Sequence, residues 1–186
     1  MESSIDIAKS LFEQHKYQEA IDTCRKILAS HQNSIDALKL ISKCFITINK
    51  IDDARLYLNK LLDFKPNDYE AIKDLGNTYQ VRGDVVTAKN YYQKAISINS
   101  NYAPALTNLG SIELISDNKQ EALSLLIKAT ESDSQLTPAW VNLANGYFRL
   151  GKLQDAKNAC LKAIQLTPHF FNTHFLLANI LIKQNN

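Results

Sequence analysis

Asparagine recurs at related positions along the chain. Of the residues in this sequence, these asparagines are the best suited to bind another molecule through hydrogen bonds. Each carboxamide offers one acceptor and two donor groups, so it can bind both the N–H and the C=O of an extended peptide. One such hydrogen bond contributes only about 1 kcal/mol net, so binding would depend on repetition. The alternative is that these asparagines are merely solvated residues on an exposed helix face. The asparagines are Asn77, Asn108, Asn142, Asn145 and Asn179.

Groups that could catalyse a reaction or hold a metal are scattered along the sequence. His15, His31, His169 and His174 fall singly, without the spacing of metal ligands. No glycine-rich phosphate loop and no nucleophile with a nearby histidine is present. We therefore expect no enzyme activity, no metal and no cofactor.

The cysteines do not indicate a disulfide framework, because their number is odd and no short-spaced pair exists. We expect Cys24, Cys44 and Cys160 to be small buried hydrophobic residues. Reduced thiols fit a reducing compartment such as the cytoplasm.

The composition is typical of a structured globular chain rather than of a disordered or membrane-spanning one. The 186 residues are 45% hydrophobic and 22% charged, with a formal net charge of +2. Because 21 basic residues nearly balance 19 acidic ones, charge gives no argument for nucleic acid. No apolar run approaches the ~20 residues needed to span a bilayer, and the first residues lack the regions of a secretory signal. We expect a cytoplasmic protein without nucleic-acid partners.

The elements that must position the asparagines are short amphipathic helices that repeat every 34 residues. Between Tyr69 and Tyr102, apolar residues fall at spacings of three, four and seven on two helices joined at Arg82-Gly83-Asp84. Repeat position 8 is always small and repeat position 20 is always alanine, so helix axes can approach closely. The alanines are Ala20, Ala54, Ala88, Ala122 and Ala156.

This pattern predicts eleven helices, with ends accurate to a few residues. Their predicted ranges are 2–14, 18–30, 36–48, 52–64, 70–82, 86–98, 104–116, 120–132, 138–150, 154–166 and 172–184. Prolines should open two of the helices (Pro104, Pro138) and follow two others (Pro66, Pro168). The predicted N-cap residues are Ser34, Asp68 and Thr137. Turn residues expected to accept a left-handed backbone are His15, Asn49, Gly83, Asp117, Gly151 and Asn185.

The sequence resembles the tetratricopeptide repeat family, and the resemblance covers essentially the whole chain. In the third copy it rests on Leu75-Gly76, Tyr79, Gly83, Ala88, Tyr92 and Ala95. In the fifth copy it rests on Trp140, Leu143-Ala144, Tyr147, Gly151, Ala156, Ala163 and Pro168. The resemblance implies an all-α, right-handed α-α superhelix that forms a single domain over 1–186. Its expected parts are five repeats, 1–34, 35–68, 69–102, 103–136 and 137–170, and one unpaired helix, 171–186.

The resemblance also implies that the first helix of each pair lines a concave groove that holds a peptide or another protein. The inward-facing repeat positions would be 2, 5, 6, 9, 12 and 13. These positions place Lys43 and Lys73 in the groove together with the five asparagines. Apolar pockets nearby are expected from Phe148, Phe175 and Leu114.

Two groove patterns of the family are similar to parts of this sequence. Lys73, Asn77 and Asn108 match the first members of a carboxylate clamp, but Pro138 and Asn142 stand where Lys and Arg would complete it. The asparagine ladder of the repeats that precede protein O-linked N-acetylglucosamine transferases fits better. That ladder implies sequence-tolerant binding of extended segments through their backbone.

Glu113 stands at an inter-helix position where Tyr79 and Tyr147 stand in other copies. A carboxylate there could be a functional group with a raised pKa. We favour the alternative that Glu113 tilts to the surface, while Leu114 or Ile112 takes over the packing.

Three functional hypotheses follow from these patterns. The first is a non-catalytic interaction module whose groove binds an extended peptide or protein segment. The second is the substrate-recruiting region of a longer enzyme, such as a glycosyltransferase. The third is a self-assembling scaffold that forms a homo-oligomer through helix 172–184, whose strongly apolar sequence favours association.

Overall fold

Short α-helices joined by tight turns make up the computed structural model of the chain, which describes residues 3–184. No strand occurs within that range. Each helix lies within two residues of its predicted range, so the predicted all-α class is confirmed. The helices are α1 (Ser4–Glu13), α2 (Tyr17–Ser30), α3 (Ile35–Thr47), α4 (Ile51–Phe64), α5 (Tyr69–Val81), α6 (Val85–Ile98), α7 (Ala103–Ile115), α8 (Lys119–Ser132), α9 (Thr137–Arg149), α10 (Leu153–Leu166) and α11 (Phe171–Gln184).

The helices form two compact units, and the boundary falls within α6, between Tyr91 and Tyr92. In the N-terminal unit, each of α1 to α4 packs on the next helix in the chain, and α1 also contacts α3. In the C-terminal unit, α7 to α11 pack in the same order, and α9 also contacts both α7 and α11. Each unit is therefore a stack of helix hairpins. The single domain over 1–186 stays a prediction.

Alanine at repeat position 20 has no exposed surface in any of its five copies. In the C-terminal unit, Ala122 and Ala156 lie in one hydrophobic cluster with Leu126. In the N-terminal unit, Ala20 and Ala54 hold the same place in another cluster. A methyl group leaves room for two helix axes to approach, so the small-residue prediction is confirmed.

A left-handed residue follows the first helix of each pair in the described range. Gly83 and Gly151 have φ of 81° and 72°, and three non-glycine residues share this conformation. These are His15 (φ 61°), Asn49 (φ 58°) and Asp117 (φ 64°). The next N–H then donates to a carbonyl five residues earlier, as from Lys152 to Tyr147 at 3.0 Å, and so satisfies the helix end. Five of the six predicted turn residues are confirmed, and Asn185 lies outside the described residues.

The predicted helix starts are partly correct. Asp68 caps α5, since its Oδ1 accepts a hydrogen bond from the Ala71 N–H at 3.1 Å. Ser34 holds the N-cap position of α3, but its side chain makes no capping bond there. The prediction for Thr137 is wrong, because Leu136 is the N-cap and Thr137 is already helical. The Thr137 hydroxyl instead lies 2.8 Å from that of Thr167.

The four prolines flank helices as predicted. Pro104 and Pro138 fall in the first positions of α7 and α9, where a missing N–H is tolerated. Pro66 and Pro168 each follow the residue after a helix end, because a proline disfavours helix in the residue before it.

Glu113 is fully buried, so the prediction that it tilts to the surface is wrong. Its Oε2 accepts a hydrogen bond from Asn118 Nδ2 at 2.7 Å. Asn118 belongs to the turn between α7 and α8 and supplies a polar partner of the kind that a buried carboxylate requires. Ile112 and Leu114 are buried beside Glu113 along α7 and do not replace it.

Candidate functional site

A groove between α9 and α11 is the candidate functional site of the C-terminal unit, with a volume of about 550 Å³. Its lining residues recur with helical spacing, so each helix presents one face to the groove. From α9 these are Pro138, Val141, Asn142, Asn145, Phe148 and Arg149. From α11 and the residue before it these are Phe170, Asn172, Phe175, Leu176 and Asn179. The α9 residues occupy repeat positions 2, 5, 6, 9, 12 and 13, the set predicted to face inward.

Three of the predicted asparagines meet in this α9–α11 groove, and each is partly buried. Asn145 Nδ2 donates to the Val141 carbonyl at 3.2 Å, which fixes the orientation of its carboxamide. Within residues 3–184, no hydrogen bond occupies the side chain of Asn142 or Asn179. Their donors and acceptors are therefore available to a bound peptide backbone.

Aromatic rings give the α9–α11 groove an apolar component. Phe175 is 66% exposed although it lines the groove, and Phe148 contributes a second ring. The Nζ of Lys183 lies 5.2 Å from the centroid of the Phe148 ring, a distance that allows a cation–π interaction. Leu114 was also expected here, but it is 5% exposed and belongs to the hydrophobic core.

Arg149 is a residue of the groove that the sequence interpretation did not single out. Its Nη1 donates to the main-chain carbonyl of Leu114 at 2.7 Å. Leu114 lies in the last turn of α7, where carbonyl groups lack helical partners, so Arg149 completes that helix end. The available signal was its repeat position 13, which belongs to the inward-facing set.

A second groove lies between α1 and α3 in the N-terminal unit, with a volume of about 310 Å³. It is lined by the same repeat positions, but its charges are mixed. Its residues are Lys9, Phe12, Glu13, Asp36, Lys39, Leu40 and Lys43. The predicted site residue Lys43 therefore lies in a groove that contains two carboxylates.

Lys39 is held in an ion-pair network at the edge of this second groove. Its Nζ lies 2.9 Å from Asp68 Oδ2 and 2.7 Å from Glu70 Oε2. Partial burial alone would lower the pKa of Lys39, but the hydrogen bonds to Glu70 and Asp68 outweigh it and raise the pKa. The network connects α3 to the start of α5.

Lys73 and Asn77 share one carboxylate on α5. Lys73 Nζ lies 2.5 Å from Asp74 Oδ1, and Asn77 Nδ2 donates to the same oxygen at 3.4 Å. The charge of Lys73 is therefore compensated within its own helix. Asn108 lies on α7, is partly buried and does not line the α9–α11 groove. Of the seven predicted site residues, the structure brings only Asn142, Asn145 and Asn179 together in this groove.

The cysteines are free and buried, as predicted. Burial raises the pKa of Cys24 to about 12, with a further contribution from Cys44, and raises the pKa values of Cys44 and Cys160 to about 11. These thiols are protonated near neutral pH and are poor nucleophiles. Among residues 3–184, no three His, Cys, Asp or Glu side chains are grouped as metal ligands. In the same range, no helix combines the length and apolarity needed to cross a membrane.

Comparison with known families gives three matches to the tetratricopeptide repeat, over residues 11–76, 74–102 and 137–170. The curated proteins give no significant match by sequence.

Solved structures share the fold at low sequence identity. A thermophilic tetratricopeptide repeat protein of Thermus thermophilus aligns with a TM-score of 0.75 and 17% identity, covering 96% of this chain and 97% of its own. PilF of Pseudomonas aeruginosa aligns with a TM-score of 0.82 and 15% identity, covering 98% of this chain and 84% of its own. YrrB is described as a tetratricopeptide repeat protein with an unusual peptide-binding site. It aligns with a TM-score of 0.64 and 20% identity, covering 92% of this chain and 89% of its own. The helix hairpins of the structure and the matches along the sequence lead to one conclusion: the chain belongs to the tetratricopeptide repeat family.

Proposed function

We propose that this protein is a non-catalytic interaction module whose α9–α11 groove binds an extended segment of a partner protein. The observation that carries the proposal is the pairing of available carboxamides, Asn142 and Asn179, with the exposed ring of Phe175. The carboxamides can bind the backbone of a peptide, and the ring offers a place for one of its apolar side chains. A peptide-binding site described for YrrB supports this use of the fold.

The groove volume supports a short peptide as the ligand. About 550 Å³ falls within the range of roughly 300–1,000 Å³ that is usual for ligand sites. Binding through backbone groups would tolerate different side chains, as in the asparagine ladder of the repeats that precede O-linked N-acetylglucosamine transferases. Lys43, Lys73, Asn77 and Asn108 lie outside this groove, and we keep them as proposed contacts of a partner protein in their own units. The proposal applies equally to a free module and to a region that recruits substrates for a longer enzyme.

A display library of random 12-residue peptides tests the proposal with the full chain. Wild-type protein should enrich peptides, and the binding of an enriched peptide should weaken about fivefold for each of Asn142→Ala and Asn179→Ala. Asn158→Ala is the matched control, since Asn158 is an exposed asparagine on α10 outside the groove. Enrichment that is equal for wild type and the Asn142→Ala/Asn179→Ala double variant would overturn the groove assignment.

Self-association is a second candidate function, favoured by the exposed apolar side chains of α11. Phe171, Phe175 and Ile182 are 82%, 66% and 62% exposed. Such a patch is costly in water and is suited to a second apolar surface. Sedimentation should show a dimer whose fraction rises with concentration and falls for Phe171→Ser/Ile182→Ser. A concentration-independent monomer would exclude this candidate.

We also propose that the protein functions in the cytoplasm. The free, buried state of the three cysteines supports a reducing compartment.

A further inference from the structure

Charge distinguishes the α9–α11 groove from the groove between α1 and α3. Among the described residues, Arg149 lines the α9–α11 groove and no carboxylate does. A second cation, Lys183, lies against Phe148, one of its lining rings. The groove between α1 and α3 instead combines its lysines with Glu13 and Asp36. The α9–α11 groove therefore has a local excess of positive charge.

The two cations lie at one end of the groove. Arg149 is the last residue of α9, and Lys183 is next to the last residue of α11. These helices flank α10 through short turns and run in the same direction, so their C-terminal ends lie together. Part of the positive charge offsets the helix dipoles at these ends. Phe175 lies toward the opposite end, in the first half of α11.

The hydrogen bond to Leu114 prepares Arg149 for a ligand. It uses one of the five N–H donors of the guanidinium and holds the side chain in place. The remaining donors can bind a carboxylate, and a side chain that is already ordered loses less freedom when it binds.

We propose that the α9–α11 groove selects partner segments that carry an Asp or Glu side chain, bound near Arg149 and Lys183, and an apolar side chain, bound at Phe175. This selectivity rests on the proposed function and assigns a ligand class to the same groove. Lys183 follows Phe175 by eight positions, which corresponds to about 12 Å along a helix. An extended peptide covers that distance in about three to four residues. The acidic and apolar side chains should therefore stand three or four positions apart.

The experiment is the random 12-residue peptide selection on the full chain, repeated with two charge variants. Wild type should enrich peptides with an acidic residue three or four positions from an apolar one. Lys183→Gln and Arg149→Gln should each weaken binding of such a peptide by about three- to fivefold. Replacing the acidic residue of the peptide by Gln should produce the same loss. Lys162→Gln, on α10 and outside the groove, is the matched control and should bind like wild type.

The outcomes separate this inference from the proposed function. Peptides that depend on Asn142 and Asn179 but show no acidic preference would overturn the charge selectivity and leave the groove assignment intact. If wild type enriches peptides no more than the Asn142→Ala/Asn179→Ala double variant does, both the charge selectivity and the groove assignment are overturned. Lys183→Gln keeps the test decisive if Arg149→Gln fails to fold, because within residues 3–184 the Lys183 ammonium makes no hydrogen bond or ion pair and lies only against the Phe148 ring. Binding of the acidic peptide to wild type should also weaken as salt is raised from 50 to 500 mM, because salt screens the attraction between exposed charges.

Discussion

The guanidinium of Arg149 donates from Nη1 to the main-chain carbonyl of Leu114 at 2.7 Å. The bond joins the end of α9 to the end of α7, while the same side chain lines the α9–α11 groove. One residue therefore contributes both to the packing of adjacent hairpins and to the charge of the candidate site. Its substitution should affect both stability and binding, and these effects can be measured separately.

Arg149→Gln should lower the free energy of unfolding by about 1.5–3 kcal/mol, the usual range for a hydrogen bond to a charged group. Arg149→Lys keeps the charge but loses the planar fork, so it should recover only part of this loss. Urea unfolding followed by circular dichroism measures the effect. An unchanged midpoint for Arg149→Gln would show that the bond to Leu114 contributes nothing to stability.

Two helical glycines of the C-terminal unit should respond differently to alanine. A Cβ at Gly110 would lie 2.7 Å from Leu126 Cγ, a branch point that cannot move alone. Gly110→Ala should therefore destabilise by about 1–2 kcal/mol, since overpacking exceeds the gain in helix propensity. At Gly146 the nearest atom is the terminal Leu123 Cδ2, at 3.0 Å. Gly146→Ala should change the free energy of unfolding by an amount between zero and a gain of about 1 kcal/mol. Equal thermal stability of Gly110→Ala and Gly146→Ala would contradict this distinction.

Gly83 tests the cost of the left-handed turn without a steric contribution. It has a φ of 81°, and a Cβ there would meet no atom within 4 Å. Gly83→Ala should nevertheless destabilise by about 1–2 kcal/mol because an L-residue is strained in this conformation. Gly83→Asn should cost less, as Asn49 holds the equivalent turn position. The order Gly, Asn, Ala in thermal stability is the expected result, and a reversal of Asn and Ala would contradict it.

The Lys39 network predicts a defined pH dependence. The pKa of Lys39 is raised in the folded protein above its ordinary value of 10.5. Its contribution is therefore fully present below pH 10.5 and is lost as the pH rises through the folded-state pKa. Wild type should exceed Lys39→Met in unfolding free energy at pH 8, and the difference should shrink toward pH 12. A difference that stays constant over this range would refute the contribution of the charged network.

Periodic features of the fold could be predicted from the sequence because they depend on local residue chemistry. The buried alanines at position 20 and the left-handed turn at Gly83 are fixed by size and backbone preference. The burial of Glu113 could not be predicted, because it depends on the geometry that brings Asn118 within hydrogen-bond distance. The cap at Leu136 was missed for a similar reason, since the Thr137 hydroxyl contacts Thr167.

The candidate site was predictable only in part. Helical spacing correctly grouped Asn142 and Asn145 on one face of α9. It did not reveal that Leu114 is buried or that Arg149 reaches the end of a helix 35 residues earlier. Contacts of this kind depend on how neighbouring hairpins stack, which no single repeat encodes.

The most direct test of peptide binding in the α9–α11 groove is an NMR titration of the asparagine side-chain amides. The full chain, labelled with nitrogen-15, would be titrated with a library-selected peptide. Peptide binding in the groove should shift the side-chain NH₂ signals of Asn142 and Asn179, while that of Asn158 stays in place. Shifts at Asn158 without shifts at Asn142 and Asn179 would contradict it.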